Sequence, residues 1–369
     1  MTKSIKINDK SLILSNVGSS ETIRKTPLYK DKVALRPLFT QPFDWSNVNL
    51  PQHLPKNNYS QDFLSWFVGF SEGDGSFIID EKNNRLFFTI TQKDAALLKR
   101  LRTQLGFGII CNDNTYPEIK RFTVSDRSHI KNLIHIFNGN LLLNKTTQRF
   151  VRWVNYYNLM TNENIRVILR WNLETQKCLN ILNFSKSREK CSLKQIQQLR
   201  SESVVWNSSW LTGFFEAEGC FYAVQRFKTK KATKKTIEMR FILDQTNELK
   251  LLSHVRELLG DIGCIWIHKK VNDKIHYRYE VSNWDALLLI VKYLETHKLR
   301  SNKKIVYVRW KKLINFLELI KKENQIGLGI SSEKRQQKIN RLVLETKQEF
   351  LNQTRLKEIK LKVEDRVPL

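Results

Sequence analysis

The chain has no long apolar run. Its best candidate, Ala286-Leu-Leu-Leu-Ile-Val291, stops at Lys292, well short of the roughly 18 residues of a membrane span, so no membrane partner is expected. The first residues, Met1-Thr-Lys-Ser-Ile-Lys6, lack the apolar core of a secretory signal. They are basic and hydroxyl-bearing, as a transit peptide would be, but Asp9, Glu21 and Asp31 speak against that reading. Cysteine is scarce: five residues, at 111, 178, 191, 220 and 264, without a C-x-x-C pair. An odd set without that spacing speaks against a zinc site and points to a reduced compartment. Acids are also in short supply, 36 against 63 basic residues, for a net charge of +27. On 369 residues of which 41% are hydrophobic, that imbalance implies a folded protein with a polyanionic partner. A nucleic-acid enzyme and a ribosomal-type binder both satisfy it.

Two short segments are near-copies: Phe67-Val-Gly-Phe-Ser-Glu-Gly-Asp-Gly75 and Leu211-Thr-Gly-Phe-Phe-Glu-Ala-Glu-Gly219. Each follows a Trp (Trp66, Trp210) and leads into a strand-like run, Ser76-Phe-Ile-Ile79 and Cys220-Phe-Tyr-Ala223. Their separation is that of a domain half rather than of a solenoid repeat. Helical and strand periodicities after each copy run in the same order. The first half reads helix 61–74, strands 76–82 and 85–91 across an Asn83-Asn84 turn, helix 93–105, strands 107–111 and 119–124, and helices 128–137 and 145–159. The second reads helix 208–218, strands 220–227 and 236–244, helix 248–259, strands 264–270 and 274–281, and helices 285–295 and 302–320. The fold class expected is therefore α+β, with two pseudo-symmetric αββαββα halves, each with one more helix at its end. Residues 1–58, with prolines at 27, 37, 42, 51 and 55, read as an irregular basic arm. The halves span 59–161 and 207–321, joined by a mixed-polarity, helical linker 162–206. A charged helical tail follows over 322–369.

Within each motif helix, Gly69 and Gly73, and likewise Gly213 and Ala217, lie four apart and so stack on one face. Two such faces allow two helices to approach more closely than the usual roughly 8–10 Å and to form the interface between the halves. Gly75 and Gly219 are expected as left-handed residues just past the helix ends. Asp74 and Glu218 then sit at helix C-termini, the wrong end of the macrodipole for a carboxylate. Brought together they repel, and a hard divalent cation held by oxygens relieves the repulsion. The carbonyls of Gly73 and Ala217 can complete such a site, which suits two-metal hydrolysis of a phosphodiester. Alone, either acid would be an ordinary solvated carboxylate; the duplicated context carries the metal reading. Glu72 and Glu216 point elsewhere on the helix and read as structural.

The paired segments resemble the LAGLIDADG motif of homing endonucleases and intron maturases, in the two-motif, single-chain form, and the resemblance extends from about residue 60 to about 320. It implies a monomer whose curved antiparallel sheets form a DNA-binding saddle. It also implies Mg2+ as cofactor, and site-specific cleavage of both strands of a long double-stranded DNA site that promotes mobility of a host intron. Gln92, ending Phe88-Thr-Ile-Thr-Gln92, and Gln245, ending Phe241-Ile-Leu-Asp-Gln245, resemble the family's polar active-site residue; the alternative for each is a cap on the next helix. Lys145, in Leu143-Asn-Lys145, matches the family's basic residue. Strict alignment puts Asn302 at that place in the second half, with Lys303 or Arg300 as its substitute. A maturase acting on host intron RNA with the same scaffold is the alternative function. The Lys-, Asn- and Ile-heavy composition suits an AT-rich organellar genome, a mitochondrion rather than a chloroplast.

Strand alternation assigns the outward faces of the sheets. Asp80, Lys82, Arg85 and Thr89 face out in the first half, and Tyr222, Arg226, Lys228 and Arg240 in the second. A polar strand face can read base edges in the major groove, and Arg240 is the expected base reader. The tip Lys228-Thr-Lys230-Lys231-Ala-Thr-Lys234-Lys235 carries five lysines suited to phosphates.

Overall fold

The computed structural model describes residues 39–48, 61–113, 116–161, 166–170, 192–227, 235–271, 274–326 and 333–346. The first half contains α1 (Gln61–Asp74), β1 (Gly75–Asp80), β2 (Arg85–Gln92), α2 (Ala95–Leu105), β3 (Ile109–Asn112), β4 (Lys120–Val124), α3 (Arg127–Phe137) and α4 (Asn144–Leu159). After α5 (Leu193–Glu202), the second half repeats the order. It contains α6 (Trp210–Glu218), β5 (Gly219–Phe227), β6 (Lys235–Thr246), α7 (Leu249–Leu258), β7 (Cys264–Val271), β8 (Lys274–Val281), α8 (Trp284–Thr296) and α9 (Lys303–Ile326). Each half folds one four-stranded antiparallel sheet, ordered β1-β2-β4-β3 and β5-β6-β8-β7. The two-half α+β architecture read from the repeat is therefore borne out. Of the expected arm, linker and tail, the structure describes residues 39–48, the stretches 166–170 and 192–206, residues 322–326 as the end of α9, and a helix over 333–346.

Local chemistry explains the element ends. Asp94 caps α2 by accepting from Leu97 N at 3.0 Å, and Gly106 closes it at φ 76°. The first hairpin turns differently from the expectation. Asp80 pairs with Arg85, which leaves a four-residue loop, 81–84. Asp80 accepts from Asn83 N and Nδ2 at 3.2 and 2.8 Å. Those bonds draw the chain out of the ladder early, so Lys82 lies in the loop and not on a strand.

The inner face of each sheet packs on aromatic rings. Phe77 and Phe88 meet Phe137, Phe150 and Trp153 in the first half. Phe221 meets Phe215, Tyr307 and Trp310 in the second. Trp153 Nε1 donates to Ile78 O at 3.2 Å, and Trp310 Nε1 donates to Tyr222 O at 3.3 Å. These paired bonds seat α4 and α9 on their sheets, and neither buried indole N–H is left without an acceptor.

The halves meet through α1 and α6. A Cβ added to Gly69 would lie 2.0 Å from Trp210 O, and one added to Gly213 would lie 2.0 Å from Trp66 O. Backbone rests on backbone at both places, related by a local twofold axis. Beside them Trp66 stacks on Phe70 at 4.9 Å and Trp210 on Phe214 at 5.0 Å. A Cβ at Gly73 would meet Ala217 Cβ at 2.4 Å.

Gly75 and Gly219 correct the sequence reading. Gly219 is extended, at φ −87°, and Gly75 is not among the positive-φ residues. Space, not handedness, excludes a side chain here. A Cβ at Gly75 would strike Ser71 O at 2.5 Å, and one at Gly219 would strike the Phe215 ring at 1.9 Å.

Gly213→Ala is the minimal test of the seam. One methyl against a fixed carbonyl must push the helices apart, so a loss of about 1–3 kcal/mol or more is expected. An unchanged denaturant midpoint would mean that the helices do not meet as described.

Candidate active site

The seam delivers the ends of α1 and α6 to one place. Glu218 Cγ and Oε1 lie 3.1 and 3.6 Å from where a Cβ on Gly73 would stand, so the Glu218 carboxylate lies over the residue that precedes Asp74. A cleft of about 470 Å³ opens there between the halves. Its walls include Gly73, Asp74, Lys145, Ala217, Glu218 and Gln245. Gln92 Nε2 donates to Asp74 Oδ2, and the cap on α2 is Asp94, which decides against capping as the role of Gln92. Asp74, with Gln92 bonded to it, thus shares one cleft at the midline with Glu218, Lys145 and Gln245.

Lys303 is placed differently. Its ammonium donates to Phe215 O at 3.2 Å, in the last turn of α6, and to Gly219 O at 2.6 Å, on the first residue of β5. Its correspondence with Lys145 depends on the anchor chosen. Glu72 accepts from Leu142 N and Leu143 N, and Glu216 accepts from Arg300 N and Ser301 N, which pairs Lys145 with Lys303. The sheet-seating Trp153 and Trp310 instead pair Lys145 with Asn302. The second half is one residue shorter between the two anchors.

The glutamates that precede the candidate catalytic acids build the wall behind the cleft. Glu72 Oε1 accepts from Leu142 N at 2.9 Å and Leu143 N at 2.6 Å, while its Oε2 accepts from Trp210 Nε1 at 2.7 Å. Glu216 repeats this with Arg300 N, Ser301 N and, at 2.6 Å, Trp66 Nε1. Each acid is buried and bonded to the tryptophan of the other half. Burial pushes the Glu72 carboxyl up to about 8 and raises that of Glu216, against the pull of these donors. Burial alone would favour the protonated acid, but every donor around Glu72 is an N–H and an added O–H would find no acceptor, so the hydrogen bonding selects the carboxylate.

Two acids beyond the glutamines were missed by sequence reasoning. Asp94 Oδ2 accepts from Asn302 N at 2.8 Å, and Glu248 Oε1 accepts from Lys145 N at 3.2 Å. Burial pushes the Glu248 carboxyl up to about 7. The available signal was an acid two or three residues after each glutamine, in Gln92-Lys-Asp94 and Gln245-Thr-Asn-Glu248. The second half also lines the cleft with Asp244, His268 and His276. Asp244 holds Arg278 at 2.7 and 2.9 Å, and His276 Nδ1 meets Thr246 Oγ1 at 2.8 Å.

Three of the expected outward residues need correction. Thr89 faces away from the core but is buried at 7% exposure, because β2 is flanked on both sides. Asp80 is occupied as the hairpin cap. Arg240 is bound to Glu238 and, at 2.9 Å, to Glu280, with its side chain only 14% exposed; a guanidinium held by two carboxylates is not free to read bases. Lys82, Arg85 and Arg226 are exposed, though Arg226 pairs with Glu238 at 3.1 Å. Tyr222 lies under the Arg240 guanidinium. Lys228, Lys230, Lys231 and Lys234 lie outside the described residues, as does the side chain of Lys235.

The model of the LAGLIDADG endonuclease family matches residues 67–157 and, again, 211–314. The chain belongs to that family. It is 32% identical over 268 residues to the probable intron-encoded endonuclease 4 of Neurospora crassa, a match covering 71% of this chain and 41% of that protein. With the probable intron-encoded endonuclease Cox1-I1b of Schizosaccharomyces pombe it shares 27% over 279 residues, 72% of this chain and 68% of that one. The match thus spans about two fifths of the length of the Neurospora relative. Among solved structures, the I-SmaMI LAGLIDADG homing endonuclease bound to cleaved DNA superposes with a TM-score of 0.55 at 17% identity. That superposition covers 76% of this chain and 95% of that one. The I-LtrWI LAGLIDADG homing endonuclease bound to target DNA gives 0.53 at 19%, over 76% and 96%. These structural likenesses are of fold.

Glu72→Gln tests the wall. Its amide nitrogen must face either the Leu142 and Leu143 N–H groups or the Trp210 indole N–H, donor against donor. The expected cost is about 1–3 kcal/mol. A Gln variant as stable as the parent in chemical denaturation would show that the acid is not held as a carboxylate acceptor.

Proposed function

We propose that the chain is a site-specific homing endonuclease. It acts as a monomer on one long double-stranded DNA site, hydrolyses a phosphodiester in each strand and so promotes the movement of its host intron. The observation that carries this reading is the meeting of Asp74 and Glu218 at the midline cleft, one from each half, beside Lys145, Gln92 and Gln245. A duplex laid across the two sheets would carry both of its strands over that midline. The Saccharomyces cerevisiae relative called mitochondrial protein RF1, 29% identical over 176 residues, supports a mitochondrial setting.

The donor set fits a hard divalent cation such as Mg2+. Asp74 and Glu218 offer oxygens at two helix C-termini, whose carbonyls are also negative. Among the described residues no three His, Cys, Asp or Glu side chains gather as a metal cluster. The two carboxylates would therefore be completed by the Gly73 and Ala217 carbonyls and by phosphate oxygens of the DNA. When bound, such an ion supplies charge for activating water and stabilising the leaving oxygen. The protein's own part is to hold the carboxylates in place: Gln92 orients Asp74, and Lys303 fixes the carbonyl end of α6 below Glu218. Lys145 and Gln245 face the same space and would contact the scissile phosphates or the attacking water.

A second reading, action on host intron RNA, is favoured by a different feature. A groove of about 880 Å³ lies between α9 and the 333–346 helix. Lys304, Arg309, Lys312, Lys334, Lys338 and Arg341 line it, against one acid, Glu345. It is on the side of α9 away from the β5–β6 sheet, because Tyr307 and Trp310 turn toward that sheet. A polyanion held there would leave the outward sheet faces uncovered.

Two outcomes are expected. Asp74→Asn or Glu218→Gln should lower double-strand cleavage by at least about a hundredfold, with DNA affinity largely kept; wild-type cutting by either variant would sink the assignment. Replacing Lys304, Lys312 and Lys338 together by Ala should weaken binding of the host intron RNA and flatten its salt dependence by up to about 0.7 per lost contact. DNA cleavage should stay unaffected. Equal losses for RNA and DNA, or none for RNA, would remove the second reading.

A further inference from the structure

The α4 helix has no side-chain cap of its own, since the residue at its N-cap is Leu143. A helix start leaves N–H groups without intrahelical partners, and here an acceptor for them comes from the other half. Glu248 Oε1 accepts from Lys145 N at 3.2 Å and also contacts Asn144 N. The reciprocal contact is present: Asp94, from the first half, accepts from Asn302 N at the start of α9. Each acid stands at the end of the strand that carries its half's glutamine, Gln92 for Asp94 and Gln245 for Glu248. Each capped turn carries a lysine, and Lys145 lines the cleft while Lys303 is bonded to Phe215 O in the last turn of α6 and to Gly219 O just beyond it.

We infer that Glu248 and Asp94 are positioning residues that cap the opposite half's long helix, so that the lysine in each half is aimed by an acid of the other. The inference rests on the endonuclease reading above. Its chemical content is that Glu248 acts as a hydrogen-bond acceptor for the backbone of the Lys145 turn. It does not act as a base, a charge or a ligand. Loss of the acceptor lets the first turn of α4 relax and moves the Lys145 ammonium relative to Asp74 and Glu218, and small displacements of a positioned group are costly in rate. DNA affinity depends on the wide outward faces of the sheets and should not follow. The two strands should not suffer alike, because Glu248 addresses only the lysine of the first half.

The test compares Glu248→Ala with Glu248→Gln on the uninterrupted host allele, with nicking of the two strands resolved at saturating DNA. Glu248→Ala should slow one strand's cleavage about ten- to a hundredfold more than the other's, with Kd for DNA unchanged. Glu248→Gln keeps a carbonyl acceptor and should restore cutting to within about twofold of the parent. In a Lys145→Ala background, Glu248→Ala should add little further loss, as expected of residues acting through one another. If Glu248→Ala does not fold, Glu248→Asp withdraws the acceptor by one methylene while keeping the charge, and should show the same strand bias. A Gln variant as slow as the Ala variant would overturn the inference in favour of a charge-dependent role. Equal slowing of both strands, or an Ala variant that cuts at the parent rate, would overturn it outright. Failure of the parent protein to cut at all would instead remove the endonuclease reading on which it rests.

Discussion

The approach of α1 and α6 to backbone contact is the constraint that the rest of the molecule depends on. At Gly69 and Gly213 there is no room for one methyl group, so the helix separation is fixed by sterics and not by side-chain choice. That separation places the Trp66 and Trp210 indoles within reach of Glu216 and Glu72 across the seam. It also sets Glu218 over Gly73. Were the helices at an ordinary distance of roughly 8–10 Å, Glu218 would no longer lie against Gly73.

The buried glutamates convert this contact into a unique register. An ionised carboxylate in a protein interior is costly unless its lone pairs are met by donors. Glu72 and Glu216 each join three elements: their own motif helix, the tryptophan of the opposite helix, and the turn that opens α4 or α9. A slip of one residue along the seam would strand two buried acids at once. Removing a partner from a buried charge typically costs about 3–5 kcal/mol, so close helix packing and buried electrostatics specify the same arrangement.

Much of this was legible in the sequence because it is local or repeated. The doubled motif, the small-residue spacing at Gly69, Gly73, Gly213 and Ala217, and the order of strands and helices all follow from periodicity. What was not legible depends on partners far apart in the chain. Arg240 sits on an outward strand face, as alternation requires, yet Glu238 and Glu280 hold it there; Glu280 lies on the neighbouring strand β8, and no period in the sequence announces that pairing. Gly75 and Gly219 looked like left-handed caps because they follow helices. Their true constraint is the Ser71 carbonyl and the Phe215 ring, contacts that only the folded turn creates. The cross-half caps by Asp94 and Glu248 were hidden for the same reason: each joins a strand end in one half to a helix start in the other.

The two halves are alike at the seam and in the seating of their long helices, and unlike beside the cleft. Gly69 answers Gly213, Trp66 answers Trp210, Glu72 answers Glu216, and Asp94 answers Glu248. On the strands beside the cleft the correspondence breaks. Arg121 and Arg278 stand opposite Thr91 and Asp244, which precede the two glutamines. Arg121 turns to Asp113 at 3.3 Å, whereas Arg278 binds Asp244 itself. A bulge between Ile267 and Lys269 interrupts the second sheet's β7–β8 pairing, and His268, at that bulge, lines the cleft. An isologous dimer of one-motif chains would be held to identical surfaces on both sides. Joining the copies in one chain removes that restriction except at the centre of the seam, where Gly69, Trp66 and Glu72 are still matched to Gly213, Trp210 and Glu216 by shape and hydrogen bonding. The symmetric part of this protein is thus the part that must pack against its own repeat, and the asymmetric part is the surface that need not match its counterpart.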